Sequence, residues 1–295
     1  MPYTLIKGQF HLYYRSQRLV GSRPDGDSMW FKPDKKNTLA KLGGRRVEFN
    51  GGGCAQLRFE GIDALELHYK GSNHQRAPEC VDARNRLLQS VGFTSVTYAP
   101  SSKVATAVRT ASPHPIEGYI LSRSVDPFGR PVAFVFAGTT SERDGAKDIW
   151  LTPERVAQSL NGRLMAEGQA YPAYYSGLPS NLRNQLTTLA NSARNHGLGI
   201  WREDVSLSGA RVVRASDLEQ YAMWPKLYRR LFAYFADGNS GISGFGAWLR
   251  GDSSRDDELW IISRGELGNM HDIVSATDVE IQLVVHPEDV IIVPR

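Results

Sequence analysis

The sequence predicts an α+β fold, a small barrel-like sheet packed against a few helices. Two observations carry this. Short segments with strand-like alternation are separated by turns rich in Gly, Pro and Asp, and three longer segments hold apolar residues at helical spacing. Their order is strands, helix, strands, then two helices, ending near Trp201. With 295 residues, 41% apolar and 22% charged, the chain has the composition of a globular protein with a sizeable core.

Tyr3 to Tyr14 mixes alternating and aromatic residues and reads as a strand. Arg23-Pro-Asp-Gly-Asp27 supplies turn chemistry, and Ser28-Met-Trp-Phe31 continues as the next strand. The polar, glycine-rich stretch from Lys35 to Gly53 reads as an inserted loop or hairpin. Gln56 to Asp63 alternates as a half-buried strand does. Pro78 to Val91 has helical spacing, with Pro78 suited to a first turn. Ile116–Leu121 and Val132–Phe136 read as strands on either side of the tight turn Asp126-Pro-Phe-Gly-Arg130. One helix starts at Thr152 and reaches about Glu167; another runs from Ser180 to His196 and stops at Gly197.

Beyond residue 205 the pattern changes. Ser216-Asp-Leu-Glu219 has the form of a capping box, opening a helical stretch to Ala236 that Pro225 interrupts. Its Lys226, Arg229 and Arg230, among Tyr228, Phe232, Tyr234 and Phe235, suit either a basic-aromatic surface or an amphipathic helix packed on the core. Asp237 to Arg255 is rich in Gly and Ser and reads as a mobile segment. Glu258–Ile262, Val279–Val285 and Asp289–Val293 read as strands of a small extra sheet or an extension of the barrel.

The formal charge of +4 suits a phosphate-rich partner without establishing one. No apolar run is long enough to cross a membrane, and the first residues lack the pattern of a secretory signal, so a cytoplasmic location and no membrane partner are expected. Cys54 and Cys80 are too few for a disulfide framework and read as reduced, structural residues. His68, His74 and His271 belong to no ligand cluster and read as structural or surface residues.

The chemistry concentrates at strand ends and turns. Asp27 ends an Asp-Gly-Asp turn; Arg58 is followed by Asp63 and then Glu66; Arg130 lies just past a Gly-containing turn. Carboxylates hold hard divalent cations, guanidinium forks stabilise charge on a phosphate, and a further carboxylate can take a proton from water. Each piece alone is commonplace, because Asp and Gly are good turn formers and a lone Arg is usually a surface residue. Their combination and order carry the weight.

That order resembles the staphylococcal nuclease (thermonuclease) family: Asp25-Gly-Asp27, then Arg58-Phe-Glu-Gly-Ile-Asp63-Ala-Leu-Glu66, then Asp126-Pro-Phe-Gly-Arg130. Ala77-Pro-Glu-Cys80, Arg130–Phe136, Met165–Tyr171 and Gly197–Trp201 resemble further stretches of the same family, so the likeness spans roughly residues 3–205. It implies a five-stranded OB-fold barrel with three helices as a catalytic domain over 1–205, with 206–295 as a C-terminal α/β accessory region. It implies that Asp27, Asp63 and the carbonyl of Ala64 bind Ca2+, or another divalent cation. Glu66 would activate water, and Arg58 and Arg130 would contact the phosphate. Tyr174 or Tyr175 would line the substrate pocket. The implied reaction is hydrolysis of DNA and RNA with little sequence preference.

The departures are specific. Asp63-Ala-Leu-Glu66 stands where the family has Asp-Thr-Pro-Glu, so the turn loses a hydroxyl and a proline. Pro127-Phe128 stands where the best-known member of that family has a Lys-Tyr that contacts bound nucleotide. Residues 206–295 match nothing in it. The competing expectation is therefore a nucleic-acid-binding module of the same fold, either non-catalytic or autoinhibited through its C-terminal region, which would also be the place for a regulatory protein partner or self-association.

Overall fold

A computed structural model of the chain describes residues 2–12 and 22–294. Its centre is a closed five-stranded β-barrel in an α+β fold, built from β1 (Thr4–His11), β2 (Ser28–Pro33), β3 (Ala55–Phe59), β5 (Ile116–Val125) and β6 (Pro131–Ala137), with the short β4 (Gly61–Asp63) bending away after β3. The strands follow one another as β1-β2-β3-β6-β5, and β1 pairs back onto β5 to close the ring. Closure hides the sheet edges, and Ile6, Phe10, Phe31, Leu57, Ile120 and Val135, which the strand registers place on one face, fill the interior. The described part of the first strand ends at His11, and Tyr13 and Tyr14 lie outside the described residues.

Helix α1 (Ala77–Val91) buries Cys80, Ala83, Leu87 and Leu88, and Gly92 ends it in a left-handed cap. The single helix expected from Thr152 to Glu167 is two, α2 (Pro153–Gln158) and α3 (Leu160–Ala166). Ser159 breaks it by adopting an extended backbone, and its hydroxyl accepts from the Gly162 N–H at 3.1 Å, capping the second helix. α4 (Ser180–Asn195) buries Leu182, Leu186 and Ala190.

The glycine-rich stretch 35–53 holds a one-turn helix, Lys36–Ala40, anchored by Leu39, and Gly43–Gly44 pairs with β5. An unanticipated hairpin joins Ser95–Tyr98 to Val108–Ser112. The stretch Asp237–Arg255 differs from the mobile segment expected of it: Ile242, Phe245 and Leu249 are buried, and the last two anchor α6 (Phe245–Arg250). Its glycines and serines flank apolar residues spaced for one helical face.

Residues 206–295 are joined to the barrel side by a second sheet. Its strands are β7 (Tyr171–Tyr175), β8 (Glu258–Ile261), β9 (Glu266–Asn269) and β10 (Val290–Val293), in the order β9-β8-β10-β7-β4. β7 runs parallel to β10 and antiparallel to β4, so Asp63 at the end of β4 sits in register with Tyr171. The stretch expected as an interrupted helix is a short 3-10 turn, Ala215–Gln220, followed by α5 (Pro225–Ala236), with Pro225 in its first turn. Leu227, Tyr228 and Leu231 of α5 join the same hydrophobic cluster as the barrel interior, and the indole Nε1 of buried Trp224 donates to the Pro172 carbonyl at 3.1 Å.

Cys54 and Cys80 are buried and form no disulfide, and burial pushes the Cys80 thiol up to about 12. At the end of β1, burial lowers His11 to about 4, with His114 and Lys32 adding to the effect. A histidine depressed in the folded state binds its proton more readily when unfolded, so the stability it confers holds above about pH 6.5 and is lost as pH falls toward 4. The expected loss from this residue between pH 7 and 5 is about 2 kcal/mol. Urea unfolding at the two pH values checks it: His11→Gln should show a correspondingly smaller drop than wild type.

Candidate active site

Three chain segments bring the acidic residues together. The Asp25–Asp27 turn is pressed against the loop after β4; a Cβ on Gly26 would lie 2.5 Å from that of Ala64 and 2.9 Å from that of Ala83. Glycine is required there by close approach. The backbone carbonyl of Asp27 accepts from the Phe59 N–H at 3.2 Å, and its Oδ2 accepts from the Ala64 N–H at 3.2 Å. Asp63 ends β4, and Glu66 follows on the loop after it. Gln75 restrains this loop. This fully buried side chain accepts from the Glu66 N–H at 3.0 Å and donates to the Met223 carbonyl at 2.7 Å, while its own N–H donates to the Glu66 carbonyl at 2.8 Å.

Two guanidinium groups face these carboxylates. Arg58 on β3 donates to the Tyr175 hydroxyl at 2.8 Å and lies 4.6 Å from that ring's centre. Arg130 follows Gly129, whose φ of +77° turns the chain. Asp126 organises that turn, accepting from the Phe128 and Arg130 N–H groups at 2.9 Å each and from Arg130 Nε at 2.8 Å. Asp27, Arg58, Asp63, Ala64, Glu66, Arg130 and Tyr175 all line one cleft of about 460 Å³. Of the two candidate tyrosines only Tyr175 faces it; Tyr174 packs in the core with its hydroxyl 2.9 Å from Thr187 Oγ1.

The carboxylates carry mutual strain in charge. Burial, then the charges of Asp25, Asp63 and Glu66, push the Asp27 carboxyl well above the ordinary range. Burial also raises Glu66, against the pull of Arg229. Arg229 itself is the residue that sequence reasoning did not assign to the site. It reaches in from α5, donating from Nη1 to Glu66 at 2.6 Å and to Asp63 Oδ1 at 3.1 Å, and from Nη2 to Asp63 Oδ2. Lys226 and Arg230, one helical turn apart on the same face, also line the cleft and share Asp257. Their spacing was the available signal; which part of the chain they would face was not encoded in it.

No family model and no curated protein matches the chain. Asp27, Asp63, Glu66 and the Ala64 carbonyl are hard oxygen donors of the kind Ca2+ requires. Among the described residues, however, no three His, Cys, Asp or Glu side chains are arranged to hold a metal ion. The donors suit such a cation in kind, and the charge between Asp63 and Glu66 is supplied by Arg229. His68, His74 and His271 take no part; their rings bond to the Arg23 and Gln75 carbonyls and to Asp256.

Proposed function

We propose that the chain is a phosphodiesterase of the staphylococcal-nuclease type, hydrolysing DNA and RNA with little sequence preference. The observation that carries this is the meeting of Arg58 and Arg130 with Asp27, Asp63 and Glu66 in one cleft. Two guanidinium forks, one from β3 and one from the turn before β6, can grip the oxygens of one phosphate, and Arg130, held at the turn, would donate to the leaving oxygen. Glu66, with its raised proton affinity, would take a proton from the attacking water at Oε2, since Oε1 is bonded to Arg229. A Ca2+ ion held by Asp27, Asp63 and the Ala64 carbonyl would offset charge developing on the phosphate. A cytoplasmic location remains part of the proposal.

The neighbouring surface suits bases. Phe128 is 70% exposed and lines both this cleft and an adjoining one of about 530 Å³ with Trp30 and Phe49. Base stacking on an exposed ring is worth about 1–3 kcal/mol, so Phe128→Ala is expected to weaken binding of a single-stranded oligonucleotide by about tenfold, read by fluorescence anisotropy in EDTA.

A second reading, a nucleic-acid-binding module that is non-catalytic or held inactive, is favoured by one observation, the Arg229 contacts to Asp63 and Glu66. Plasmid DNA and RNA incubated with the purified chain in Ca2+, Mg2+, Mn2+ or EDTA separate the two. Cation-dependent cleavage that falls at least about 100-fold in Glu66→Gln is expected. Equal cleavage by wild type and Glu66→Gln would contradict the assignment.

A further inference from the structure

On the phosphodiesterase reading above, on which this rests for its site, we propose that Arg229 is the resident cation of the acidic cluster and competes with a divalent ion for Asp63 and Glu66. Its guanidinium forks across both oxygens of Asp63 while the same Nη1 also reaches Glu66 Oε1. A cation drawing on those carboxylates meets a like charge already in place and oxygens already engaged. Burial works against charge on Arg229, yet Asp63 and Glu66 hold it firmly protonated, so the contact does not loosen by deprotonation.

The position of Arg229 is built in. Its helix is fixed on either side by Leu227, Tyr228 and Leu231 in the core. Its basic neighbours are satisfied elsewhere: Lys226 Nζ lies 3.0 Å from Asp257, and Arg230 Nη2 lies 2.6 Å from the same carboxylate. Arg229 alone among the three is committed to the acidic loop. Arg58, meanwhile, donates to Tyr175, and Arg130 to Asp126, so the fork onto Asp63 and Glu66 is that of Arg229. The consequence is a site whose affinity for divalent cations is set from the C-terminal region.

Terbium luminescence, with Tb3+ standing in for Ca2+ and displaced by Ca2+, tests this in the full-length chain. Arg229→Gln is expected to bind Tb3+ and Ca2+ at least tenfold more tightly than wild type, and adding Asp63→Asn should abolish the gain. Arg229→Lys, which keeps the charge but loses the fork, should tighten binding by a smaller factor and serves if the glutamine variant does not fold. Unchanged or weaker binding in both variants overturns the proposal, as does a gain that survives Asp63→Asn. Tighter binding without any nucleic-acid cleavage leaves the competition standing and removes the phosphodiesterase reading, so the two failures are distinct.

Discussion

Arg130→Ala is expected to lower cleavage of an oligonucleotide by about 1000-fold at saturating substrate, because it removes a preorganised donor to charge that develops only in the transition state. The fold should survive. Asp126, which Arg130 pairs with, still accepts two backbone N–H bonds at 2.9 Å, and Arg58 Nη1 lies 3.9 Å away. A loss of about 1 kcal/mol of stability is the expected cost, small beside the loss of rate. Arg130→Lys should recover little, since an ammonium cannot form the planar fork. Single-turnover rates alongside melting curves check both halves, and full activity in the alanine variant would remove Arg130 from the site.

Removing residues 206–295 is expected to abolish cooperative folding. The deletion takes away β10, the parallel partner of β7 at Tyr174 and Tyr175, and with it Trp224, Leu227, Tyr228, Leu231, Leu259 and Ile292, all buried. It also takes the Met223 carbonyl from Gln75, the side chain that holds the Glu66 loop. Each large apolar side chain buried is worth about 1.5–3 kcal/mol, so the loss from these six is as large as the roughly 5–15 kcal/mol of net stability typical of a domain. Near-ultraviolet circular dichroism of a chain ending at Val205 should show no sharp thermal transition. A cooperative transition within a few degrees of the full-length value would show that the barrel stands alone.

Much of the fold was legible because its signals are local. Turn residues such as Asp126-Pro-Phe-Gly and the alternation around Arg58 mark the strand ends, and strand ends are where the carboxylates and arginines gather. The features that escaped depend on distance or register. Arg229 meets Asp63 across 166 positions of sequence, a contact decided by how α5 packs and by nothing near either residue. Tyr174 and Tyr175 are adjacent in one strand and so point to opposite faces; only the pairing of β7 shows which faces the cleft. The break at Ser159 was hidden because the apolar periodicity runs through it, while the hydroxyl that ends one helix and caps the next leaves the pattern unchanged. Gln75 gave no signal at all: its role rests on a contact to Met223, 148 positions away, that holds the Glu66 loop.

The cleft and its resident arginine together are tested most directly by cleavage of a fluorogenic oligonucleotide by the wild-type and Arg229→Gln chains across a Ca2+ titration. Cleavage should require Ca2+, reach half its maximum at least tenfold lower in Ca2+ for Arg229→Gln, and vanish in both backgrounds when Asp63→Asn is added. No cleavage by either chain at any Ca2+, Mg2+ or Mn2+ concentration, with both shown to be folded, would contradict the assignment of this cleft as a phosphodiesterase centre.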